Sequence, residues 1–71
     1  MTEFYTIIED LGSINDDKEF PKFIRIVSWK NTEPKIDIRR WKNNKPLKGI
    51  ALNIEEAKNL HYILSKYLDR I

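Results

Sequence analysis

Apolar residues alternate with polar ones in four runs over the first two thirds of the chain. After that they recur every third and fourth position, so the pattern predicts four strands followed by one helix. Lys35 to Trp41 is the clearest strand, with Ile36 and Ile38 on one face and Lys35, Asp37, Arg39 and Trp41 on the other. Lys22 to Trp29 alternates in the same way, dividing Ile24 and Ile26 from Phe23, Arg25, Val27 and Trp29. Phe4 to Leu11, rich in aromatic and β-branched residues and ending at Gly12, predicts the first strand, and Lys48 to Leu52 the fourth. Lys30 to Pro34 reads as a loop, and Asn43-Asn44, which tolerate positive φ, as a tight turn. Such short connections imply an antiparallel meander.

The helix begins at a capping box, because Asn53 can accept from a first-turn amide while Glu56, three residues on, reaches back. From there the periodicity can run to the C-terminus. Ile54, Ala57, Leu60, His61, Ile63, Leu64, Tyr67, Leu68 and Ile71 cover about half of the helix circumference, wider than the ~100° stripe that one sheet needs. The sheet face expected beneath it is Ile24, Ile26, Ile36, Ile38, Ile50 and Leu52. The remainder of the arc calls for a second copy, which predicts a homodimer built on Leu60, Ile63, Leu64, Tyr67, Leu68 and Ile71. The expected fold is therefore α+β, a four-stranded antiparallel β-meander followed by one C-terminal α-helix (ββββα), homodimeric, with residues 1–71 as a single domain.

Charge changes this picture more than composition does. The net charge of +2 hides a division: residues 1–19 hold six acids against Lys18, giving −5, and residues 20–52 hold nine bases against Glu33 and Asp37, giving +7. A concentrated positive segment points to an anionic partner. There is no cysteine, the start of the chain has neither a basic n-region nor a continuous apolar run, and no apolar stretch is long enough to span a membrane. These features predict a cytoplasmic protein, nucleoid-associated if bacterial. His61 is the only histidine, Ser13, Ser28 and Ser65 have no evident base partner, and Gly12 and Gly49 make no phosphate loop. No enzyme, metal or cofactor is expected.

The chemistry concentrates between Trp29 and Gly49, where two tryptophans share a strand phase with arginine. Cations neutralise phosphates and flat rings stack on unpaired bases, neither of which requires a particular sequence. With the isoleucines turned toward the helix, Trp29 and Trp41 fall on the opposite face and are expected to stay partly exposed as stacking residues. Lys30, Lys35, Arg39, Lys42, Lys45 and Lys48 would line the backbone path, with Arg25 in support. Neutralising about six phosphates at ~0.7 each gives a log-log salt slope near −4. Asp37, between Lys35 and Arg39, is expected to orient Arg25 or Arg39 rather than to perform acid-base chemistry. A protein-interaction module using the tryptophans as anchors, or a single-stranded RNA binder, is built from the same residue types.

Arg25 to Trp29, the I-D-I-R-x-W run of Ile36 to Trp41 and the K-G-I-x-L run of Lys48 to Leu52 leading into Asn53 and Glu55-Glu56 resemble the transcriptional positive cofactor four family, closest to its bacterial YdbC-like branch. The resemblance covers residues 22–68, and the first strand loosely. It implies a homodimer that binds single-stranded DNA along its sheet surfaces without strong sequence preference, as a transcription cofactor or a replication or repair accessory protein. Carried over by position, Trp29 and Trp41 resemble the family's aromatics, and Arg39 and Lys48 its cations. The chain departs from the family pattern in its acidic first strand, in its short hairpin over 42–47, and in having no serine-rich extension, so phosphorylation control of the eukaryotic kind is not expected.

Overall fold

The computed structural model describes residues 4–71, so Glu3, counted above in the acidic segment, lies outside the described residues. Four strands, β1 (Tyr5–Ser13), β2 (Lys22–Trp29), β3 (Lys35–Lys42) and β4 (Lys45–Leu52), form one antiparallel sheet in the order β1-β2-β3-β4, and α1 (Ile54–Leu68) follows. The body is thin, 44 × 29 × 18 Å. None of its helices is long and apolar enough to cross a membrane, among the described residues.

Two turns set the register of the central strands. Asn43 and Asn44, at φ 51° and 65°, join β3 to β4 through the two-residue turn that asparagine pairs favour. Lys30 and Asn31 also have positive φ, 53° and 60°, closed by the Thr32 amide donating to the Trp29 carbonyl at 2.9 Å. A lysine in this region is uncommon, and the turn is held by the Ser28 and Thr32 hydroxyls donating to the carbonyls of Thr32 and Trp29 at 2.6 Å. β4 begins at Lys45, earlier than expected, and accommodates Pro46 because it is an edge strand.

β1 differs most from the sequence reading. It runs on through Gly12, at φ 137°, to Ser13, and its pairing with β2 slips twice, between Ile7 and Glu9 and between Asp10 and Gly12. These bulges place Tyr5 opposite Trp29 and Ile7 opposite Val27, then bring Asp10 opposite Arg25.

The helix starts as expected: Asn53 Oδ1 accepts from the Glu56 amide at 2.7 Å, and Glu56 Oε1 accepts from the Asn53 amide at 2.9 Å. It stops at Leu68, with Asp69 as its C-cap, rather than continuing to the end. Its packing corrects the expectation that it covers the isoleucine face. The helix touches only β3 and β4, no residue of it is buried, and Ile50 remains 53% exposed. The reason is geometric, since α1 leaves directly from the end of the edge strand β4 and so lies against one side of the sheet. Among the described residues the buried set is instead Val27, Asp37 and Trp41, all on the opposite face.

Candidate functional site

The register gathers a charged and aromatic cluster on that opposite face. Arg25 pairs with Asp37 across β2 and β3, Phe23 with Arg39, and Arg39 with Gly49 across β3 and β4. Gly49 permits the last approach, because a Cβ there would collide with the Arg39 Cβ and lie 2.7 Å from its Cα. Asp37, only 1% exposed, organises the centre. Its Oδ1 accepts from Arg39 Nε at 2.6 Å and its Oδ2 from Trp29 Nε1 at 3.0 Å, so both carboxylate oxygens are satisfied. Arg39 also donates through Nη1 to the Leu47 carbonyl at 3.0 Å, and its guanidinium lies 4.6 Å from the Trp29 ring centre. The expectation that Asp37 orients a cation holds, and the cation is Arg39.

Aromatic contacts extend the cluster toward β1. The Tyr5 ring packs tilted against Trp29 at 5.2 Å and edge-on to Trp41 at 5.7 Å. Arg25 stacks 3.9 Å from the Phe23 ring centre and 4.6 Å from that of Trp41, while its Nη2 pairs with Asp10 at 3.2 Å. Tyr5 and Asp10 were not singled out in the sequence. Their places depend on the two β1 bulges, which leave no simple alternation to read.

The expected site residues do not all share one surface. Trp29 is half-buried, but Trp41 is 3% exposed, which corrects the expectation that both stay available. Tyr5 and Arg25 occupy the space that a bare outer face would have left free. The Arg25 and Arg39 side chains are only 15% and 14% exposed and already engaged, so they brace the cluster. Lys30, Lys35, Lys42, Lys45 and Lys48 are exposed. Lys48 lies at the register shift between β3 and β4, lining one cleft with Lys22, Ile38 and Arg40 and another with Arg39, Pro46 and Leu47. Of the residues expected at a dimer interface, Ile63, Leu64, Tyr67, Leu68 and Ile71 are exposed and Leu60 is half-buried.

The segment between β1 and β2 forms a strap beside the hairpin of β3 and β4. Asp17 Oδ1 accepts from the Phe20 amide at 3.0 Å and the Glu19 amide at 2.9 Å, and these bonds, that from Phe20 foremost, hold the Asp17 carboxyl below its ordinary value. Asn15 Oδ1 accepts from the Lys22 amide at 2.9 Å, and the Pro21 carbonyl accepts from the Trp41 amide at 2.9 Å. Lys42 reaches from the hairpin to Glu19 at 3.7 Å and lies 4.9 Å from the Phe20 ring centre. Between strap and hairpin lies a cavity of about 440 Å³, lined by Phe23, Arg25, Trp41, Asn43 and Asn44 with Lys42 and Glu19.

A search of curated proteins finds no match to the chain. The family model described as Transcriptional Coactivator p15 (PC4) matches residues 18–63, which take in the end of the strap, β2, β3, β4 and most of α1, and leave β1 outside. The match spans well over half of the chain and coincides with the elements that build the Asp37 cluster, and the chain belongs to this family of nucleic-acid-binding transcription cofactors.

Proposed function

We propose that the sheet face around Trp29 binds single-stranded DNA without strong sequence preference, in a transcription cofactor or a replication or repair accessory role. The observation that carries this reading is Trp29 itself. Its indole is anchored to Asp37 at 3.0 Å and braced by Arg39 and Tyr5, yet the residue is only half-buried, beside the exposed Lys30 and Lys35. A stacking platform that is already rigid loses little conformational freedom when a base settles on it. Lys30 follows Trp29 directly, exposed and in a backbone region that glycine or asparagine adopts more easily.

Arg25 and Arg39 act here as braces, and Trp41 supports the platform through Tyr5, whose ring packs against both tryptophans. Lys30, Lys35, Lys42 and Lys45 are the phosphate contacts on this reading. About four neutralised phosphates at ~0.7 each give a log-log salt slope near −3, shallower than six would give. The same reading makes the protein a homodimer. A helix without a buried residue, carrying exposed Ile63, Leu64, Tyr67 and Leu68, is supplied with a partner most simply by its own copy across a two-fold axis.

Titration of tryptophan emission with oligo-dT and with duplex of equal length tests the proposal. Quenching by the single strand that weakens with salt, and much less by duplex, is the expected result. No response at low salt would turn the reading to a protein partner, and equal competition by oligo-U would extend it to RNA. Sedimentation at micromolar concentration tests the dimer, and a single species of 8.5 kDa would remove it.

A further inference from the structure

Two residues that line the cavity between strap and hairpin carry hydrogen-bond donors that the protein does not use. Arg25 Nε and Trp41 Nε1 are both buried, and among the described residues neither finds an acceptor. An unpaired buried N–H is destabilising, whereas the other tryptophan of the chain is satisfied by Asp37. The rest of the lining is polar at Lys18, Glu19, Lys42, Asn43 and Asn44, and apolar at Pro21, Phe23 and the Trp41 ring.

From this we infer that the cavity is a pocket for one unstacked nucleobase, read through its hydrogen-bond acceptor atoms by Arg25 Nε and Trp41 Nε1. The inference rests on the single-strand reading and adds to it a second, recessed base site distinct from the open Trp29 platform. A base fits the two donors better than a phosphate does because Arg25 and Lys42 are already matched, to Asp10 at 3.2 Å and to Glu19 at 3.7 Å, and Lys18, the remaining cation of the lining, is left for the phosphate that carries the base. A neutral acceptor can approach without breaking the Arg25 pair, and the flat walls suit a ring. The Lys42 to Glu19 pair lines the cavity, and its side chains are 45% and 68% exposed and therefore weakly held. Parting this pair widens the cavity and frees a second ammonium for the strand.

The chain has only two tryptophans, so their indole N–H resonances can be assigned from Trp29→Phe and Trp41→Phe. On adding oligo-dT, the Trp41 indole proton should move downfield and exchange more slowly, as expected for a donor that gains an acceptor. A strand carrying difluorotoluene in place of thymine keeps the ring shape and nearly loses the acceptors. It should bind about fivefold to tenfold more weakly than oligo-dT to the native protein, and within about twofold of oligo-dT to Trp41→Phe. Oligo-dT binding with an unmoved Trp41 indole, or with equal affinity for the two strands, overturns the pocket and leaves the Trp29 platform standing. An abasic strand that matches oligo-dT in moving the indole assigns the donors to phosphate and likewise overturns it. Failure of every strand to bind at low salt removes the single-strand reading and the pocket together. The resonance of the native protein decides the matter even if Trp41→Phe does not fold.

Discussion

On one face of the sheet the carboxylate of Asp37 is 1% exposed, and on the other the side chain of Ile50 is 53% exposed. The first belongs to a cluster of charges and aromatics, the second to a run of isoleucines that by composition alone would form the core. The difference lies in whether each group finds its partner within the chain. Asp37 has both oxygens satisfied by Arg39 and Trp29, so its burial costs little, whereas the isoleucines and the helix contribute fully only when further apolar surface covers them. One face finds its partners within the chain, and the other leaves apolar surface uncovered.

The largest test of that contrast is Asp37→Ala, which leaves Arg39 and the Trp29 indole unpaired in the interior. A loss of about 3–5 kcal/mol in urea unfolding is expected. Asp37→Asn, which keeps an acceptor for the indole, should cost less. Ile50→Ala, measured at dilution where single chains dominate sedimentation, should cost under about 1 kcal/mol, because its side chain is already half in water. A larger loss at Ile50 than at Asp37 would break the comparison. Gly49→Ala tests the cluster from its edge: the added methyl meets the Arg39 Cα and Cβ, and about 1–3 kcal/mol of stability should be lost from forcing β3 and β4 apart.

Trp29→Ala sharpens the functional side of the contrast. Single-strand affinity should fall by about 1–3 kcal/mol in fluorescence-independent titration, and a change of a few tenths would remove the ring from the interface. Asn53→Ala addresses the other region. A helix without buried residues depends on its ends, so losing the cap should lower stability by about 1 kcal/mol, read from the helical circular dichroism on heating. The smallest effect concerns Asp17. Its carboxyl is held below the ordinary 3.8 when folded, so the strap's contribution is present above that value and fades as pH falls through the lowered one. Exchange of the Glu19 and Phe20 amides should accelerate only there, and Asp17→Asn should remove that pH dependence.

The strand and helix order was legible because alternation, the asparagine turn and the capping box each act within a few residues. Asp37 as the residue that orients a cation was legible for the same reason, since Arg39 lies two positions away on the same face. Burial of Trp41 was not. The alternation shows which side it faces but not what lies over it, and the covering groups, Tyr5 and Arg25, come from other strands. Tyr5 escaped notice because its alignment with Trp29 and Trp41 depends on β1, whose register slips twice. The helix is legible as an element but its packing is not, because periodicity reports the width of an apolar stripe and not which surface meets it.

Those two slips in β1 also bear on how copies of the chain can associate. An edge strand with regular pairing offers its free amides and carbonyls to any neighbouring sheet, and open-ended stacking follows. Bulges on either side of Glu9 and Asp10, together with two carboxylates at that point, make β1 a poor template for a further strand. Excision of Ile8, the extra residue of the first bulge, would straighten this border, and the variant should form thioflavin-positive aggregates where the native chain does not. The irregular border thus serves as a guard against runaway polymerisation in a molecule that leaves so much apolar surface uncovered.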